Sequence, residues 1–148
     1  MMNTNPHPRL DAVLRAASER IDNADARVLL AHALECSPAW LFAHGDDAID
    51  PGALQRFEAL LQRRIQGEPA AYLIGHRGFW TFDLKVSPQT LIPRPETELL
   101  VELALARSPA GEVLHIADLG TGSGAIASSK AKTVVHPMMR FIVCPPEG

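Results

Sequence analysis

Over residues 8–67 the apolar side chains return every three or four positions, in four blocks separated by short polar links. That period matches one face of a helix and excludes alternating strands. Leu10, Val13, Leu14 and Ala17 predict a first helix from about Pro8 to Arg20. Ala26, Val28, Leu29, Leu30, Ala33 and Leu34 predict a second, with Asp22, Asn23 or Asp25 as its cap. Ser37-Pro38 reads as an N-cap followed by a proline in the first turn, and Asp50-Pro51 repeats the signal. The helix opened at Pro51 carries Leu54, Phe57, Leu60, Leu61 and Ile65, and Gly67 ends it. A helix with one apolar stripe buries it only against other helices, so the expectation is a small bundle. Leu29, Leu30, Leu34, Phe57 and Leu61 are its expected core. His32 and Cys36 read as core or cap residues.

The chain has 148 residues, room for one ordinary domain or two small ones. A net charge of −3 with dispersed Lys and Arg disfavours direct nucleic-acid binding. Arg63 and Arg64 read as a solvated helix face. No apolar run approaches the ~20 residues that span a bilayer, and Met1 to Pro8 lacks a signal peptide's apolar stretch. Neither a membrane partner nor export is therefore expected, and the location expected is cytoplasmic. Cys36 and Cys144 lie far apart and the six histidines are scattered, so no disulfide framework and no metal site is expected.

After Gly67 the pattern changes. Phe79, Trp80, Phe82, Leu84 and Val86 read as strand, pairing with Thr90-Leu91-Ile92 across a Ser87-Pro88 turn. Pro93 and Pro95 hold Arg94 extended. Pro95 suits the first turn of a helix whose positive end favours Glu96 and Glu98. Leu99, Leu100, Leu103 and Ala104 are its expected buried face. Val113 to Leu119 then reads as a buried strand.

That strand runs into Asp118-Leu119-Gly120-Thr121-Gly122-Ser123-Gly124-Ala125-Ile126-Ala127. Glycines allow a sharp turn and close backbone approach, and a helix start offers free N–H groups to an anion. The third glycine comes one residue sooner than in the dinucleotide fingerprint G-x-G-x-x-G. An acid, Asp118, precedes the first glycine. This arrangement looks like the loop of Rossmann-fold methyltransferases, which wraps the methionine end of S-adenosylmethionine.

Three further segments carry a family likeness. Gly67-Glu68-Pro69-Ala70-Ala71-Tyr72-Leu73-Ile74-Gly75 and the run from Phe79 to Val86 resemble the linker of the HemK-type release-factor glutamine methyltransferases. Leu91 to Val101, with Pro93-Arg94-Pro95-Glu96-Thr97-Glu98 at its centre, is similar to that family's most recognisable segment, and Asp118 to Ala127 to its cofactor motif. The resemblance runs from about Leu10 to Ala127. It implies a fold of α followed by the start of α/β. Residues 8–67 would be a helical release-factor-recognition domain, and 68–94 a linker with a β-hairpin. Residues 95–127 would begin a truncated Rossmann-like S-adenosylmethionine-binding domain, leaving a tail at 128–148 that does not match. The activity implied is methyl transfer from S-adenosylmethionine to the glutamine amide of a release factor's Gly-Gly-Gln motif. Carried over by position, Asp118, Gly120, Thr121, Gly122, Ser123 and Gly124 would bind the cofactor. Arg94, Pro95, Glu96 and Thr97 would lie beside it. Without the resemblance, Arg94 to Glu98 reads as an ordinary helix start.

The sequence also departs from the family. Between Asp118 and Glu147 there is no Asp or Glu to hold the ribose hydroxyls of the cofactor. The family's catalytic Asn-Pro-Pro-Tyr motif is absent, so no catalytic residue is assigned. A strand starting at Val113 is expected to lack parallel neighbours. These departures predict a truncated or frame-shifted, inactive form with weak or no cofactor binding. A non-catalytic protein-binding module is the alternative, and a nicotinamide enzyme is disfavoured by the glycine spacing.

Overall fold

The computed structural model describes residues 7–107, 114–119, 121–132 and 139–144. They fall into two units, divided between Ile74 and Gly75.

The first unit holds helices α1 (Leu10–Ser18), α2 (Asn23–Ala33), α3 (Pro38–Ala43), α4 (Pro51–Ile65) and α5 (Ala70–Ile74). Three starts carry the side-chain caps expected of them. Asp22 accepts from Ala24 N at 2.8 Å, Ser37 Oγ from Trp40 N at 3.2 Å, and Asp50 Oδ2 from Ala53 N at 2.9 Å. Each satisfies an amide that the helix cannot pair internally. The N-cap of α1, Arg9, makes no side-chain cap. There the chain supplies backbone acceptors: Leu10 N donates to Asp47 O and Asp11 N to Gly45 O, both at 2.9 Å. Gly67, with φ 101°, turns the chain out of α4 in the left-handed conformation that glycine adopts most cheaply.

The helices share one core. Leu29 and Leu30 of α2 and Phe57 of α4 are buried, with Leu61, Leu41, Leu10 and Ile49 around them. Leu34, expected to be buried, is half-buried at its edge, and Ile65 is exposed. Polar contacts fix how α4 lies on α2. Arg56 donates through Nε and Nη2 to Ala33 O, a carbonyl at the C-terminal end of α2. Eight residues on, Arg64 pairs with Asp25 in the first turn of α2 at 2.7 Å. The two helices therefore run antiparallel. The helix α5 falls within the segment expected to be linker, where Ala71 and Leu73 are buried.

The caps can be tested one at a time. Asp50→Ala leaves the Ala53 amide without its acceptor. The expected loss is about 1 kcal/mol of unfolding free energy, read from urea denaturation followed by circular dichroism. A shift of zero would mean that Pro51 alone sets the start of α4.

The second unit begins with an antiparallel hairpin of β1 (His76–Phe79) and β2 (Phe82–Lys85), in the register His76↔Lys85 to Phe79↔Phe82. The expected pairing with Thr90-Leu91-Ile92 is thus replaced by a tighter one. The run Phe79–Val86 folds back on itself at Trp80-Thr81, because His76 to Phe79 supplies a local partner strand. Ser87 to Thr90 forms a closed turn instead, with Thr90 N donating to Ser87 O and Ser87 N to Thr90 Oγ1, both at 2.9 Å.

The helix α6 (Pro95–Arg107) follows, then β3 (Leu114–Leu119), α7 (Ala125–Lys132) and β4 (Met139–Cys144). The strands β3 and β4 pair in parallel, from Leu114↔Met139 to Leu119↔Cys144. This corrects the expectation that β3 lacks a parallel neighbour. The run Arg140-Phe141-Ile142-Val143-Cys144 is apolar and β-branched enough to serve as one. A second correction concerns α6. Leu99 and Leu100 are 54% and 58% exposed, Leu103 and Ala104 are exposed too, and only Val101 is buried, at 4%. Its apolar residues surround the helix rather than forming a stripe, so one neighbouring surface cannot cover them all.

Candidate cofactor site

The polypeptide leaves β3 at Leu119 and enters α7 at Ala125, and the expected ligand-binding residues sit on that crossing. Gly120 lies outside the described residues. Gly122 and Gly124 have φ of 54° and 76°, a left-handed conformation that side chains other than glycine resist. A Cβ added at Gly124 would approach Ser128 Oγ no closer than 3.6 Å. Conformation, not space, therefore explains the glycine at this position. Thr121 braces the turn, its Oγ1 donating to Asp118 O at 3.0 Å, and Gly124 N donates to Thr121 O at 2.9 Å. Ser128 N bonds Gly124 O at 2.8 Å and begins the α7 ladder. The amides ahead of it in the first turn have no partner within the helix.

Asp118 is half-buried, and its Oδ2 atom is buried with no hydrogen-bond partner among the described residues. A buried carboxylate oxygen in that state costs free energy unless a donor reaches it. It stands at the end of β3, immediately before the turn. The site therefore combines an acceptor in need of a donor with backbone bent for close approach. That combination suits a small ligand carrying both an amine and a carboxylate, as the methionine end of S-adenosylmethionine does. The fit covers that end only. The strand beside β3, Met139–Cys144, contributes no acid that could hold a ribose.

Arg94, Pro95, Glu96 and Thr97 are placed at the start of α6, where Thr97 N donates to Arg94 O at 3.0 Å. Arg94, Pro95 and Glu96 are exposed and Thr97 is half-buried. The helix they open packs against α7, the helix that leaves the glycine turn. In the sequence Glu98 reads only as an acid at a helix start. Its Oε1 accepts from Trp80 N at the hairpin tip, 3.1 Å away. No local pattern announces a bond between positions 18 apart in the chain.

Elsewhere the described residues hold no group of three His, Cys, Asp or Glu side chains that could bind a metal ion. Burial raises the pKa of the Cys36 thiol above its ordinary value, which disfavours the reactive thiolate.

Comparison with known proteins gives these features a context. Residues 9–75 match the family model described as the PrmC N-terminal domain. The chain is 58% identical over 116 residues to a Xylella fastidiosa (strain 9a5c) protein named release factor glutamine methyltransferase, covering 78% of this chain and 42% of that one. It is 44% identical over 148 residues to the protein of that name from Vibrio cholerae serotype O1, covering 94% of this chain and 51% of that one. With the Escherichia coli (strain K12) protein of the same name the identity is 45% over 121 residues, covering 82% and 43%. The chain thus spans about half the length of these curated relatives, or somewhat less. The Vibrio alignment takes in residues beyond Ala127.

Proposed function

On the premise that this chain belongs, through residues 9–75, to the family of the PrmC N-terminal domain, and over its N-terminal part resembles release factor glutamine methyltransferases, we propose that it serves S-adenosylmethionine-dependent methylation of a release factor. The reaction is transfer of a methyl group to the glutamine side-chain amide of the Gly-Gly-Gln motif, in the cytoplasm. Residues 8–67 engage the release factor, 68–94 link, 95–127 begin a Rossmann-like cofactor domain, and 128–148 form a tail outside the family pattern. By themselves these 148 residues do not complete the reaction.

One observation carries this reading: the helical family domain is followed, in the same chain, by a strand–glycine turn–helix whose Asp118 has a buried oxygen with no hydrogen-bond partner among the described residues. Asp118, Thr121, Gly122, Ser123 and Gly124, with Gly120, hold the methionine end of S-adenosylmethionine. That cofactor supplies an activated methyl group when bound. Arg94, Pro95, Glu96 and Thr97 flank it from the start of α6. No helix among the described residues is long and apolar enough to cross a membrane.

Two titrations by calorimetry test the reading. A release factor is expected to bind the 148-residue chain. S-adenosylmethionine is expected to bind very weakly or not at all, because a tight small-molecule site encloses most of its ligand and one turn cannot. A micromolar dissociation constant for the cofactor would show that the pocket is already complete. Failure of the release factor to bind would remove the recognition role from residues 8–67. The well-formed core of the helical unit favours a second reading, a non-catalytic binding module.

A further inference from the structure

The hairpin tip is built against its own backbone preference. Trp80 and Thr81 are the two central residues between Phe79 and Phe82, and Trp80 has φ 54°. Among the described residues only Glu35 shares a positive φ without being glycine. A positive φ confined to the first central position is the pattern of a type II′ turn, where glycine is usual. A bulky residue there is an outlier and persists only where its surroundings over-determine it.

The surroundings are visible. On one side Phe79 is buried and meets Phe82 edge-on, with ring centroids 5.9 Å apart. On the other side the carboxylate of Glu98, in the first turn of α6, accepts the Trp80 amide proton at 3.1 Å. A hydrogen bond to a charged acceptor is stronger than one between neutral groups. It also closes the chain between Thr81 and Thr97 into a loop tied at both ends, and Arg94 to Thr97 lie at the far end of that loop.

We propose that Glu98 is a positioning residue, a latch that holds Trp80 in its left-handed turn and ties the hairpin tip to the first turn of α6. The latch goes beyond the functional reading above and does not depend on it, since no cofactor and no partner enters it. The role is that of a hydrogen-bond acceptor, distinct from the favourable interaction of any acid with a helix start.

Hydrogen exchange of the Trp80 amide, followed by NMR in the full 148-residue chain, tests the proposal. Glu98→Ala is expected to accelerate exchange at Trp80 by about tenfold, since removing one partner leaves the donor open to solvent. Glu98→Gln keeps a side-chain carbonyl in place and is expected to retain most of the protection. It also loses the charge, so a role confined to the helix dipole would fail in both variants alike and leave the Trp80 amide untouched. Exchange at Trp80 unchanged in Glu98→Ala would overturn the latch. So would a Glu98→Gln chain whose Trp80 amide exchanges as fast as that of Glu98→Ala.

Discussion

Purified as these 148 residues, the chain is expected to transfer no detectable labelled methyl group to a release factor, while a full-length relative assayed beside it does. The reason lies in the nucleophile. An amide nitrogen shares its lone pair with the carbonyl and attacks poorly unless it is held in line with the methyl carbon. Groups that accept its hydrogens supply that orientation, and well-oriented reactants gain on the order of 7–11 kcal/mol over the same groups free in solution. The family implied by the resemblance uses an Asn-Pro-Pro-Tyr motif for this purpose. Here the asparagines are Asn3, Asn5 and Asn23, and the single tyrosine, Tyr72, follows Pro69-Ala70-Ala71. Val143-Cys144-Pro145-Pro146-Glu147 has the two prolines without either partner. Loss of positioning on that scale removes several orders of magnitude in rate. Label on the glutamine of the Gly-Gly-Gln loop, at anything near the rate of the full-length relative, would show that other residues of this chain do the orienting.

The second large effect is on stability. Phe57 is 1% exposed in the shared core of α1 to α5 and, with Phe79, is among the largest fully buried side chains of the described residues. Phe57→Ala removes the ring and leaves a cavity that the packed helices refill only in part, at an expected cost of about 3–5 kcal/mol. Leu61→Ala, one turn further along α4, is expected to cost about 2–5 kcal/mol for the same reason. The control is Phe42→Ala. That side chain is 72% exposed and lies under the Arg27 guanidinium at 4.3 Å, so its loss is expected to cost well under 1 kcal/mol. Urea unfolding of the three variants, followed by helical circular dichroism, ranks them. Equal stabilities for Phe57→Ala and Phe42→Ala would mean that the helical core is not what holds this unit together.

The helices were legible because their signals are local. A cap acts on amides two or three residues away, as Asp22, Ser37 and Asp50 do, and an apolar stripe repeats within one turn. The glycine turn was legible for a similar reason, since Gly122 and Gly124 answer a local demand for positive φ. The residue pattern marks the hairpin as strand but points to the wrong partner. Choosing between His76–Phe79 and Thr90–Ile92 depends on the Trp80 turn, and no glycine marks that turn. The buried face of α6 is not legible, because an apolar residue reveals its own preference for burial and nothing about whether a neighbour exists to bury it.

The sequence by itself therefore determined the four main helices of the first unit and their starts, the strand–turn–helix around Gly122 and Gly124, and the absence of any acid between Asp118 and Glu147 and of an Asn-Pro-Pro-Tyr motif from these 148 residues. Each depends on residue types at short spacing or on their presence at all. Only the tertiary structure decided that Arg56 and Arg64 run α4 antiparallel along α2, that β4 lies parallel to β3, that a buried oxygen of Asp118 has no partner among the described residues, and that Glu98 reaches Trp80. Each of these joins residues distant in the chain or depends on solvent being excluded from one atom. Such contacts follow from how whole elements pack, which no short window of residues contains.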